Sequence, residues 1–253
     1  MNRIFILLLC CCFLSTTIFA IGNYRQGDTL YSWAYHGLNL RKTASVKGAR
    51  IVTIPYGERM VILDSVKVKA YSIEEFPGFT IQGHWSKVKY GNIVGWVFDG
   101  YLSKYPAINL ADIDKPWRNQ FPVYGEKAFG LVSKKRFDLS SDLAGKDSLN
   151  FRDVYQFQNG VVFEFHKGRG DGGWSSVHFK FPDLSFEECY LFFVYNSDFF
   201  KYDPNHNPQK RLNPFFPEVS NKHLNYLKIT LELCRYTFEK KGKMTHIEIS
   251  CSC

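Results

Sequence analysis

Leu38-Asn39-Leu40-Arg41-Lys42-Thr43-Ala44-Ser45, then Ile54-Pro55-Tyr56-Gly57-Glu58, then His84-Trp85-Ser86-Lys87-Val88-Lys89-Tyr90-Gly91-Asn92-Ile93-Val94-Gly95-Trp96-Val97-Phe98-Asp99-Gly100-Tyr101-Leu102 carry the pattern of short strands and turns. Short β-type runs cover Gly37 to Arg41, Arg50 to Ile54, Glu58 to Val66, Gly83 to Tyr90 and Ile93 to Phe98. Pro55-Tyr56-Gly57 falls where a turn must separate two strands, and Tyr90-Gly91-Asn92-Ile93 joins two strands as a tight hairpin. Evenly spaced short strands with Gly and Pro punctuation and no helical period predict a small barrel over residues 24–105.

These residues, in this order, resemble the bacterial Src-homology-3 domain. The most specific elements are the Leu-Asn-Leu-Arg start at Leu38 and the Trp-x-x-Val-x-Tyr-Gly-x-x-x-Gly-Trp-Val end from Trp85 to Val97. The resemblance covers about a third of the chain and implies a small, usually non-catalytic barrel that binds peptide or peptidoglycan. One departure stands out. Asp64 to Gly83, with Tyr71, Phe76, Pro77 and Phe79, is inserted where the family has a short loop. A long loop on a rigid barrel either covers the usual groove or rebuilds it for another ligand. Trp33, Tyr35, Tyr56, Trp85 and Tyr101 are the candidates for an aromatic ligand-binding floor, with Trp96 as core or groove wall. Aromatic floors grip sugars and peptides through apolar faces with polar handles. The competing reading has most of these rings fill the barrel or its junction with the next segment.

Working outward, the composition agrees with a β protein. Aromatics reach 17%, with 23 Phe and 15 Tyr against 3 Met, a bias toward side chains that suit pleated, half-buried surfaces. The chain opens with Met1-Asn2-Arg3, an apolar run from Ile4 to Leu14, and small residues around Ala20 and Gly22. This is the pattern of a cleaved secretory signal over residues 1–22, and the apolar run is shorter than the roughly 20 residues that span a bilayer. Export places the protein in the bacterial envelope, periplasmic or extracellular. Losing Arg3 takes the formal net charge from +8 to +7; export argues that this charge meets an anionic cell-wall polymer, lipid headgroups or an acidic protein rather than intracellular nucleic acid. The same charge is also ordinary for a generally soluble basic surface, because the lysines are scattered. Of seven cysteines, Cys189, Cys234, Cys251 and Cys253 follow the leader and are candidates for two disulfides in an oxidising compartment. Cys251 and Cys253 stand two apart on an expected strand and bridge each other poorly, so if all four are oxidised each would join Cys189 or Cys234; the alternative is that some of the four remain buried thiols.

Residues 106–117 read as a linker or packed connection, and residues 118–253 as a second antiparallel β domain. Val161 to Phe165 and Val177 to Phe181 alternate cleanly, the mark of half-buried strands. The glycine-rich loop between them contains Arg169-Gly170-Asp171, which ordinary turn chemistry explains. Tyr226 to Phe238 and Met244 to Cys253 read as two strands joined by Lys240-Lys241-Gly242. A three-residue loop there points Cys234 away from Cys251, whereas a four-residue loop brings the two cysteines to one face. Pro204, Pro208, Pro214 and Pro217 mark an irregular surface loop.

Catalysis finds little support. No serine elbow, zinc-protease helix, phosphate loop or matched carboxylate pair occurs. Cys189 lies beside Glu187 and Glu188, which disfavour a thiolate. Glu164, His166, Asp171 and His178 are as expected on the polar face of a sheet. The sequence therefore predicts a mostly β, secreted, non-catalytic binding protein without a cofactor or metal. Its partner is cell-wall peptide or peptidoglycan, or alternatively an envelope protein gripped by an interaction or inhibitor module.

Overall fold

The computed structural model describes residues 24–64, 68–76, 79–109, 116–139, 150–168, 174–182, 184–194, 226–231 and 234–252. The leader, Arg169-Gly170-Asp171, the proline-rich stretch 202–217 and Cys253 lie outside the described residues. The protein is mostly β, built as two antiparallel sheets.

The first sheet uses β1 (Thr29–Ser32), β2 (Leu38–Arg41), β3 (Arg50–Ile54), β4 (Arg59–Ile62), β5 (Val68–Phe76), β6 (Phe79–Tyr90), β7 (Ile93–Phe98) and β8 (Leu102–Ser103). Its order is β3-β2-β7-β6-β4-β1-β8. The β6–β7 hairpin closes at Tyr90–Ile93, where the sequence places it. Alternation sends Leu30, Leu38, Leu40, Ile54, Met60, Ile62, Val88, Val97 and Leu102 into one buried cluster. Because that cluster draws on β3 and β8, the two ends of the strand order, the sheet curls around it. The insertion is a hairpin: β5 pairs only with the first part of β6 among the described residues, from Val68–Trp85 to Phe76–Phe79.

The second sheet runs β13-β14-β15-β12-β11-β10-β9, with β9 (Leu131–Asp138), β10 (Phe151–Phe157), β11 (Val162–Gly168), β12 (Trp174–Pro182), β13 (Tyr226–Leu231), β14 (Cys234–Lys241) and β15 (Met244–Ser252). Phe163 faces Phe179, and Phe179 faces Ile247, so the alternating residues line up across neighbouring strands. Two sequence expectations fail at the C-terminal hairpins. Tyr226 to Phe238 is two antiparallel strands rather than one, and the next loop has two residues rather than three, since Lys241 pairs with Met244. Gly242, at φ +62, occupies the first loop position, where a tight hairpin with the native strand twist requires positive φ. The shorter loop reverses the expected parity: Phe238 meets Ile247, Tyr236 meets Ile249, and Cys234 stands opposite Cys251.

Two helices cover the apolar face of this sheet, and neither was expected from the sequence. α1 (Trp117–Phe129) buries Phe121, Gly125 and Phe129, a stripe of four-residue spacing. A Cβ on Gly125 would stand 2.5 Å from the Phe157 ring, so glycine there lets the helix lie close against the sheet. Phe121 is the hub, with its ring centroid 4.8 Å from that of Phe179 and 5.1 Å from that of Phe163. Burying such a side chain contributes roughly 1.5–3 kcal/mol. α2 (Phe186–Val194) starts with a reciprocal cap: Glu188 N–H donates to Ser185 Oγ at 3.0 Å, and Ser185 N–H donates to the Glu188 carboxylate at 3.0 Å. Behind the cap, Cys189, Tyr190, Leu191 and Phe192 are all buried.

The larger buried cluster crosses from one sheet to the other. Trp33, Ile81, Trp85 and Phe98 of the first sheet's side join Phe121, Phe163, Phe179, Phe181, Phe192 and Ile247. Ile108, in the connection between the sheets, belongs to the same cluster. Tyr124 Oη donates to the Pro106 carbonyl at 2.6 Å, tying α1 to that connection.

Candidate binding groove

The six aromatic residues singled out in the sequence divide by burial. Trp33 is 2% exposed; its Nε1–H donates to the Tyr105 carbonyl at 3.0 Å, and its ring lies 5.5 Å from Phe192 of α2. Trp85 is 4% exposed, with the Tyr71 ring of the inserted hairpin at 6.2 Å. Both tryptophans are occupied by the core between the sheets. Tyr101 is half-buried and packs edge-on against Phe98 at 5.7 Å. Trp96 is half-buried, opposite Lys87 on β6 and Arg41 on β2.

Tyr35 and Tyr56 are the pair that the fold brings together at an open surface. Their ring centroids are 6.1 Å apart, and His36 stacks edge-on against Tyr35 at 5.4 Å. With Gly37, Thr53 and Pro55 they line an open groove of about 410 Å³. Tyr35 and His36 leave the end of β1 and enter the turn before β2, while Pro55 and Tyr56 form the turn after β3. The β2–β3 ladder, closed at Leu38–Ile54, brings those two turns side by side. Thr53 Oγ1 donates to Asn39 Oδ1 at 3.1 Å, which orients the polar wall. His36, Thr53 and Pro55 were not among the site residues read from the sequence, because neighbourhood across a ladder depends on register. Burial pushes the Tyr124 phenol of α1 well up. The arrangement offers two aromatic faces, hydroxyl and imidazole groups and a proline edge.

Several polar groups elsewhere serve the fold. Asp99 is buried, accepts from Tyr24 Oη and Ser86 Oγ and from the His84 N–H, and is pushed up to about 7 by burial. Glu164 and His166 meet at 3.2 Å, and the His166 and His178 rings lie 4.6 Å apart. Asp171 is outside the described residues. Burial raises Glu164, but Lys180 at 3.0 Å together with His166 outweighs it and holds the carboxylate low. Among the described residues, no group of three or more His, Cys, Asp and Glu forms a metal site, and no helix is long and apolar enough to cross a membrane. Cys189 sits in the first turns of α2 rather than in a strand or loop, fully buried, and burial pushes its thiol well up, with Glu188 adding to the effect.

An eight-stranded antiparallel sheet curled around an aliphatic core, with an aromatic groove between two of its turns, has the form of a small β binding module. Residues 36–103 match the family model of the bacterial SH3 domain, a family of generally non-catalytic binding modules. The matched segment contains His36, Gly37, Thr53, Pro55 and Tyr56 and begins one residue after Tyr35. No curated protein and no solved structure matches the chain.

Proposed function

We propose that the chain is an exported, non-catalytic binding protein of the bacterial envelope, and that the Tyr35–Tyr56 groove holds the stem peptide and adjoining sugar of peptidoglycan. The unit over residues 24–105 is the binder. Residues 106–117 connect it to a β unit over 118–253 that braces it through the shared aromatic core. The observation that carries this reading is the division of the aromatics: Trp33 and Trp85 are enclosed, while Tyr35 and Tyr56 flank an open groove within or beside the segment that matches a family of binding modules. The net charge of +7 left after loss of the leader with Arg3 draws the protein toward anionic cell-wall polymer.

Isothermal titration of the full chain with soluble muropeptides tests it. The wild type gives saturable binding, and Tyr35→Ala and Tyr56→Ala each weaken it about tenfold or more, as expected for aromatic anchors. Unchanged affinity in both folded variants contradicts the assignment. A second reading, a module that grips an envelope protein, rests on the inserted hairpin, where Tyr71 is 37% exposed beside β6. A pull-down that returns one stoichiometric protein and no glycan favours it.

A further inference from the structure

The register of the last hairpin assigns a covalent link. We infer that Cys234 and Cys251 form a disulfide between β14 and β15, and that Cys189 remains a thiol. Cys234 and Cys251 are directly opposed in the antiparallel ladder. Opposed residues share one face, with Cα atoms about 4.5 or 5.5 Å apart at non-hydrogen-bonded or hydrogen-bonded positions. Both spacings fall inside the roughly 4.4–6.8 Å window that a disulfide needs. The pair that flanks a two-residue turn, here Lys241–Met244, is hydrogen-bonded. Positions alternate outward from it, so Cys234–Cys251, seven residues along, falls at the closer kind of pair.

A bridge from Cys189 to Cys234 or Cys251 is excluded by distance. The Cys189 thiol shares a hydrogen bond with Thr245, which is opposite Lys240 at the turn end of the same ladder. Six residues of strand separate Thr245 from Cys251 and Lys240 from Cys234, about 20 Å at the rise of an extended chain. That puts both Cys234 and Cys251 far beyond disulfide reach of Cys189. Oxidation requires a disulfide donor, such as glutathione disulfide. One protein thiolate attacks it and releases a glutathione thiolate. The second protein thiolate then displaces the other glutathione, so two protein thiols are oxidised and one glutathione disulfide is reduced to two thiols. The bridge fixes the end of the hairpin remote from its turn, next to the point where β13 gives way to β14.

Peptide mapping of the full chain, folded in a glutathione redox buffer and alkylated before and after denaturation, reads the result. Tryptic cleavage separates Ile229–Arg235 from Met244–Cys253. The expected product is these two peptides joined and released by dithiothreitol, with fragmentation placing the bridge at Cys251 and with Cys189 alkylated only after denaturation. The oxidised protein should also unfold at higher urea than the reduced one. Alkylation of both Cys234 and Cys251 in folded, oxidised protein, or recovery of Cys189 or Cys253 in a bridge with Cys234, overturns the assignment.

Discussion

Glu188 is placed where a charge is least favourable, in the seam between α2 and the first sheet. Its carboxyl accepts from the Ser185 N–H and is hydrogen-bonded to Ser103, yet burial, with Glu187 beside it, pushes it up to about 7. Neutral Glu188 therefore belongs to the folded protein. Its contribution to stability is fully present below the ordinary carboxylate value near 4.5 and is lost as pH rises through about 7. Asp99 follows the same direction, whereas His178 and His246, both held low mainly by burial, act the opposite way. The comparison that isolates the group is wild type against Glu188→Gln, since Gln keeps the cap geometry. Urea unfolding from pH 4.5 to 8 should show the wild type losing stability relative to the variant as pH rises. A constant difference across that window contradicts a buried neutral carboxyl. The two tryptophans teach the companion lesson: Trp33 and Trp85 have the chemistry of ligand anchors but are enclosed by Phe192 and the inserted hairpin. A Trp85→Ala change therefore tests the core before it tests binding.

At the scale of elements, most strands of the barrel part of the first sheet were legible because alternation and turn residues act locally, whereas β1, β8 and the β5 strand of the insertion, read as a loop, were not. Leu38–Arg41, Arg50–Ile54 and Ile93–Phe98 occur where the pattern puts them, apart from a residue at one end. The helices were not, for different reasons. α1 carries Pro122 and Gly125 inside it, which weaken any helical signal, although Phe121, Gly125 and Phe129 keep the four-residue period between Pro116 and Gly130. α2 did carry a signal: Ser185-Phe186-Glu187-Glu188 before an apolar run is a capping box. Its loss should be measurable. Ser185→Ala removes the hydroxyl that accepts from the Glu188 N–H and should cost about 1 kcal/mol in urea unfolding. The tryptophan emission should also shift, because Phe192 packs on Trp33. A variant as stable as the wild type, with unchanged emission, contradicts the role given to the cap. The C-terminal register was beyond the sequence because one residue of loop length exchanges the faces of a whole strand. Gly242 permits a turn in more than one frame, and only the partner strands select the frame.

For the molecule as a whole, the two sheets share their largest core, and the groove lies on the first sheet. The second half is tied to the connection between the sheets by the hydrogen bond from Tyr124 of α1 to the Pro106 carbonyl. The aromatic pair of the groove was among the residues read from the sequence. Its other walls, His36, Thr53 and Pro55, emerge only when the β2–β3 ladder sets two turns side by side. A basic protein also binds an anionic wall through charge alone, and salt separates the two causes, since the screening length falls to about 3 Å at 1 M. Co-sedimentation of the full chain with purified peptidoglycan at low and at 1 M salt, beside folded Tyr35→Ala and Tyr56→Ala variants, is the most direct measurement. Binding that survives high salt in the wild type and is lost in both variants is the predicted result. Absence of binding, or binding that disappears with salt and ignores both tyrosines, contradicts a specific cell-wall site in the groove.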